Sequence, residues 1–247
     1  MSAERPHATR PLNTRPDGQD REAPLLEAVG ITSGYDGIPA VREVSLHVRP
    51  GEVVALLGAN GAGKTTTLLT LAGEVPLQSG EVRWCGAKAR GPLFKRARAG
   101  LGLLTEERSL FMGLTVQENL RLGRGPVGRA LDTMPELREL INRRAGLLSG
   151  GQQQMLTLAR ALAGDFKMLM LDEFSLGLAP IIVRRLLILL REAVAEQNFG
   201  VLLVEQHVAS ALSFSDRAIV LRQGEIVLEG DSDQLRSRTD EIARAYL

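Results

Sequence analysis

Three short segments carry residue types that handle phosphate. The first is Gly58-Ala59-Asn60-Gly61-Ala62-Gly63-Lys64-Thr65, which fits G-x-x-x-x-G-K-S/T. It follows the apolar run Val53 to Leu57 and opens a helical stretch, Thr66 to Leu71, stopped at Gly73. Glycines let such a loop curl until its amides face phosphate oxygens, and the helix N-terminus adds a dipole that favours anions. Lys64 then reaches the β- and γ-phosphates, and the Thr65 hydroxyl ligates Mg²⁺. Gly58, Asn60, Gly61, Gly63 and Thr66 complete the candidate nucleotide-binding set. The loop points to nucleotide binding and leaves the use of the energy open.

The second segment is the apolar run Met168 to Leu171, which ends in Asp172-Glu173. Ligands gather at the carboxyl ends of such strands. Asp172 suits Mg²⁺, held directly or through water, and Glu173 suits the polarising of a water that attacks the γ-phosphate. An acidic strand cap is the plain alternative; a phosphate loop in the same chain favours the chemical reading. The third segment is Leu148-Ser149-Gly150-Gly151-Gln152, which opens a helix running to Leu162. Alone it reads as a flexible turn with an N-cap serine. It is also a second anion-binding geometry, suited to the γ-phosphate of a nucleotide held by another subunit.

The elements that must position these residues follow from hydrophobic patterning. Leu25 to Ile31 and Val41 to Val48 alternate as strands of an antiparallel side sheet. The runs Val53 to Leu57, Met168 to Leu171 and Val201 to Val204 are continuous and short, as buried parallel strands are. Helical patterns cover Leu131 to Ile141, Gln152 to Leu162, Ile181 to Glu196 and Val208 to Phe214. A strand pair, Ala218 to Arg222 and Glu225 to Glu229, flanks Gln223-Gly224. The expectation is an α/β fold: a P-loop NTPase core with a mainly parallel sheet, an antiparallel β side sheet and a helical insertion over about residues 93 to 144.

Composition bounds the rest. The 247 residues have a formal net charge of +1, so nothing global suggests a nucleic-acid partner. The single cysteine, Cys85, makes no intrachain disulfide and agrees with a reducing compartment. No apolar run approaches the roughly 18 to 20 residues that span a bilayer, and no apolar leader precedes the domain. The expectation is a cytoplasmic protein that meets a membrane only through a partner. Residues 1 to 24 hold four Arg, four Pro and four acidic residues, and read as a disordered extension before a domain at 25 to 247.

The order of phosphate loop, L-S-G-G-Q, apolar strand with Asp-Glu, and a downstream strand followed by His207 resembles the ABC ATPases over about residues 25 to 247. That resemblance implies a head-to-tail dimer that sandwiches two ATP molecules. Tyr35 matches the aromatic that stacks on adenine, and His207 the switch histidine at the γ-phosphate. Ser149, Gly150, Gly151 and Gln152 match the signature that completes the partner's ATP site. Leu104-Thr105-Glu106-Glu107-Arg108, Leu114 to Leu120, Ser175 to Pro180, Val204-Glu205-Gln206 and the closing Ala245-Tyr246-Leu247 resemble the second ATPase of branched-chain amino acid importers. In that branch Glu106 stands where most of the family carries Gln, and a carboxylate there can sense Mg²⁺ or its water. Phe174 replaces the usual Pro after Glu173, Thr105 the usual Pro before Glu106, and His207 an Asn frequent in the branch.

The function so implied is ATP binding and hydrolysis that energises a membrane transporter importing branched-chain or related hydrophobic amino acids. It implies a peripheral subunit at the cytoplasmic face, partnered by multi-span permease subunits. A second ABC ATPase completes a homo- or heterodimer, and a solute-binding protein acts indirectly. The competing class is a soluble ABC ATPase of DNA repair or translation. Such proteins usually carry a second ATPase domain or a long coiled-coil insertion, and neither is expected from these 247 residues. A kinase with a phosphate loop has no use for L-S-G-G-Q.

Overall fold

The computed structural model describes residues 22–105, 107 and 109–246. The expectations for residues 1 to 21, Glu106, Arg108 and Leu247 therefore lie outside the described residues.

Strand β1 (Leu26–Tyr35) turns through Asp36-Gly37 into β2 (Ile38–Val48). Both turn residues have positive φ, 51° and 79°, the geometry that matches a hairpin's twist. Strand β3 (Val53–Leu57) feeds the phosphate loop and α1 (Lys64–Ala72). Gly73 ends that helix in left-handed conformation at φ 91°. Next come β4 (Leu77–Trp84), β5 (Ala87–Lys88), α2 (Leu93–Arg98) and β6 (Leu101–Leu104). The helical region contains α3 (Val116–Arg121), α4 (Val127–Thr133) and α5 (Gly150–Leu162). The chain then alternates through β7 (Met168–Asp172), α6 (Pro180–Gln197), β8 (Gly200–Glu205), α7 (Val208–Phe214) and β9 (Arg217–Arg222). It closes with β10 (Glu225–Asp231), α8 (Ser232–Arg236) and α9 (Thr239–Tyr246).

Two sheets result. The side sheet runs β2-β1-β4-β5 and is antiparallel. The core sheet runs β10-β9-β3-β8-β7-β6, parallel except where β10 meets β9. The α/β class with a mainly parallel sheet and an antiparallel side sheet is as expected.

The continuous apolar runs are two-faced. Leu169, Leu171, Val201 and Leu203 pack on the α3–α6 side. Met168, Met170, Leu202 and Val204 pack toward α1 and the side sheet. Each such side chain, fully buried, contributes about 1.5–3 kcal/mol. A third cluster joins Ala55, Leu57 and Val220 to α7–α9.

Two expectations are corrected. The helical insertion expected over about residues 93 to 144 is not wholly helical, because β6 lies within that stretch as the edge of the core sheet. Gly102 permits this: a Cβ there would meet Leu169 Cδ2 at 2.3 Å. The single helix expected over Leu131 to Ile141 is instead the end of α4 and a 3-10 turn, Pro135–Arg138. Pro135 has no N–H to continue the ladder and pushes Met134 out of helical geometry, at φ −131° and ψ 78°.

Candidate functional site

Strand order decides which loops meet. Strand β8 lies between β3 and β7, with Leu57 opposite Glu205 and Val204 opposite Asp172. The three strands thus end level and side by side. Their next residues are the phosphate loop, Gln206-His207 and Glu173.

The phosphate loop is held by contacts that only glycine allows. Gly58, Gly61 and Gly63 have φ of 154°, 79° and 98°. A Cβ on Gly63 would lie 2.7 Å from the Ala40 carbonyl oxygen, and one on Gly58 2.5 Å from that of Leu221. Asn60 is exposed, whereas Thr66 is buried in the first turn of α1. That turn presents amides without intrahelical acceptors toward the loop's hollow. Lys64 is 4% exposed and its Nζ donates to the carbonyls of Gly58 and Ala59, at 2.9 and 3.0 Å. Burial lowers its pKa, while Glu173, Asp172 and Glu205 act to raise it. The ammonium thus faces three carboxylates across the strand ends, and an arriving phosphate adds charge of the sign it attracts.

Thr65 Oγ1 donates to Asp172 Oδ1 at 3.3 Å. A hydroxyl and a carboxylate oxygen at that separation, beside a phosphate cradle, fit Mg²⁺, which takes few protein oxygens and keeps water and phosphate as further ligands. Glu173 follows in left-handed backbone at φ 45°. Its Oε1 accepts from Gln206 Nε2 at 2.6 Å, and its amide donates to Val204 O at 3.1 Å. Glu205, 3% exposed, accepts from the Ser175 amide and hydroxyl at 3.0 and 2.6 Å. Burial pushes its carboxyl above the usual carboxylate range, against the pull of those two bonds. His207 is exposed at the N-cap of α7.

Tyr35 is 53% exposed at the end of β1, paired with Ile38 across the hairpin turn. Because Ala40 abuts Gly63, the hairpin that carries Tyr35 borders the phosphate loop. The ring is not spent on the core and can receive a planar ligand.

Ser149, Gly150, Gly151 and Gln152 stand elsewhere. Ser149 is the N-cap of α5, its Oγ accepting from the Gln152 amide at 3.3 Å. Gln152 Oε1 accepts from the Ser149 amide at 3.0 Å. This capping box closes on itself and leaves Ser149 exposed.

Sequence reasoning assigned no role to Glu205, Gln206, Ser175 or Tyr246. Tyr246 Oη accepts from the Gly58 amide at 3.0 Å, and burial raises the pKa of its phenol. Their signal was position: Ser175 stands two residues after Glu173, Glu205 and Gln206 run into His207 at a strand end, and Tyr246 closes an apolar helix face with Ile242 and Ala245. Among the described residues no helix is long and apolar enough to cross a membrane, and no group of three His, Cys, Asp or Glu side chains forms a metal cluster.

A family profile described as ABC transporter matches residues 41–175. The chain is 39% identical to the high-affinity branched-chain amino acid transport ATP-binding protein BraG of Pseudomonas aeruginosa, over 90% of this chain and 99% of that protein. It is 33% identical to the lipopolysaccharide export system ATP-binding protein LptB of Escherichia coli, over 90% and 96%. The dimeric structure of a bacterial ABC transporter cassette, 28% identical, superposes with a TM-score of 0.75 over 84% of this chain and 98% of that one.

Proposed function

The chain belongs to the ABC transporter ATPases, and from that premise we propose that it hydrolyses Mg²⁺-ATP at a site shared between two cassettes to drive import of branched-chain or related hydrophobic amino acids. The observation that carries the catalytic part is the convergence of Lys64, Thr65, Asp172 and Glu173 at the level ends of β3 and β7. Lys64 binds the β- and γ-phosphates, with Gly58, Asn60, Gly61, Gly63 and Thr66 shaping the cradle. Thr65 and Asp172 hold Mg²⁺, which neutralises charge on the phosphates. Glu173 takes the proton of the attacking water, and His207 contacts the γ-phosphate. Tyr35 stacks on adenine. Glu106 belongs to the same proposal, as a sensor of Mg²⁺ or its water.

The importer reading is supported by the extent of likeness to BraG; likeness to an export protein makes the solute the part most in need of test. Ser149 is exposed at the start of α5 and its side-chain bonds stay within its own turn, which suits a turn that clasps a second cassette's ATP. The membrane partners dock on the helical side. A groove of about 340 Å³ runs beside β6, lined in part by Leu103, Phe111, Leu122 and Arg160, and Phe111 and Leu122 are 59% and 55% exposed. The chain sits peripherally at the cytoplasmic face, paired with itself or a sister ATPase.

The test is recovery of the complex through an N-terminal tag from gently solubilised membranes. Two multi-span subunits and a second ATPase support the importer, and uptake of leucine, isoleucine and valine by that complex supports its solute. Recovery of ribosomal or DNA-bound proteins alone would replace transport by the soluble class and leave the ATP chemistry standing.

A further inference from the structure

Glu173 is held in a left-handed backbone conformation, φ 45°. A non-glycine residue keeps such a conformation only where its surroundings impose it. Those surroundings are one tripeptide. The Glu173 amide donates to Val204 O at 3.1 Å, and Gln206 Nε2 donates to Glu173 Oε1 at 2.6 Å. Two residues on, the Ser175 amide and hydroxyl donate to the two oxygens of Glu205, at 3.0 and 2.6 Å. Residues 173 to 175 are therefore stitched to residues 204 to 206, which run directly into His207. The stitching is possible because β7 and β8 pair in register up to Asp172 and Val204.

The roles on the two sides differ. Lys64 and Thr65 bond to Gly58, Ala59 and Asp172. Gln206 bonds instead to the water-activating carboxylate. Its amide takes one carboxylate oxygen, and a carboxylate has a second to offer an incoming water. Where a general base points decides whether it reaches its proton.

We propose that Gln206 is a positioning residue for ATP hydrolysis: its side-chain amide sets the direction of the Glu173 carboxylate, while Glu205 anchors the following loop through Ser175. The segments carrying Glu173 and His207 then shift as one unit when the γ-phosphate arrives. The inference rests on the reading of Glu173 as the group that activates water.

A double-variant cycle on the full chain tests it. Wild type, Gln206→Leu, Glu173→Gln and the pair are compared for steady-state hydrolysis of Mg²⁺-ATP, binding of a fluorescent ATP analogue and melting temperature. The expected result is a kcat about tenfold lower for Gln206→Leu, with KM, analogue binding and melting held, since only orientation is lost. In the Glu173→Gln background the same change lowers the rate no further, because the group it orients is gone. Gln206→Asn, which keeps an amide at shorter reach, recovers part of the rate. An equal loss in both backgrounds would overturn the proposal. So would a loss of analogue binding or an early melt that accounts for the rate, since either makes the contact merely structural. Faster hydrolysis by Gln206→Leu would overturn it too, by showing that the contact holds Glu173 idle. Wild-type turnover by Glu173→Gln would instead remove the water-activating role itself. A wild-type chain without turnover would remove the ATPase reading and this proposal together.

Discussion

The phosphate loop and the signature turn are both glycine-bearing turns that open a helix, yet they are built oppositely. The first is fastened to distant parts of the chain: Ala40 and Leu221 press on its glycines, Asp172 receives Thr65, and Tyr246 caps the Gly58 amide. The second bonds Ser149 and Gln152 to each other and leaves Ser149 exposed. A turn whose side-chain bonds close within itself leaves its exposed serine free for a second surface. Under the proposed function, the difference is that between half of a site that must be preorganised and half that must be delivered.

The sharpest way to test this contrast is at the fastened end. Glu173→Gln is expected to bind ATP and accumulate closed dimers while hydrolysis falls by about 10²- to 10⁴-fold, the range for loss of a general base. Size-exclusion chromatography with ATP, beside a phosphate-release assay, reads both. Lys64→Ala removes the buried donor proposed to bind the β- and γ-phosphates. It should lose about 10²- to 10³-fold in hydrolysis and weaken ATP binding, as a nucleotide titration would show.

Ser149→Ala probes the delivered half. It should leave ATP binding by the isolated chain unchanged and lower hydrolysis by the dimer about tenfold, roughly one charge-assisted hydrogen bond. Its helix cap should weaken by about 1 kcal/mol in a denaturation curve. If Ser149→Ala instead lost ATP binding in the monomer, the two halves would not be divided between subunits.

The smallest effect on activity is expected at the other end of the strands. Arg191 there pairs with Asp216, which also accepts from the Val53 amide at 2.8 Å. Arg191→Ala should cost about 1–3 kcal/mol of stability by leaving a half-buried carboxylate short of a partner. ATP hydrolysis below the melting transition should not change.

What could be read along the chain was what is local along the chain. The phosphate loop, the Asp172-Glu173 strand end and the Ser149 cap each fit within about a dozen residues, and patterning marks the strands that lead to them. Two things were not local. Strand β6 has four residues, one of them Gly102, and is a strand through its pairing with β7, where Leu169 leaves position 102 no room for a side chain. The bonds from Gln206 to Glu173 and from Tyr246 to Gly58 cross 33 and 188 residues, so they exist only once the sheet's register is set. Pro135 lies inside the stretch expected to be one helix, and one missing amide suffices to end it.

The Tyr246 contact has a practical consequence. The hydroxyl that caps the first amide of the phosphate loop comes from the end of α9, whose Ile242 and Ala245 are packed under β3 and β9. Anything joined after this helix is leashed to the floor of the nucleotide cradle. A purification handle, a fluorescent protein or a crosslinker placed there pulls on the element that must stay still, and its drag would be misread as a change in ATP affinity. Attachment before residue 25 keeps that load off the cradle.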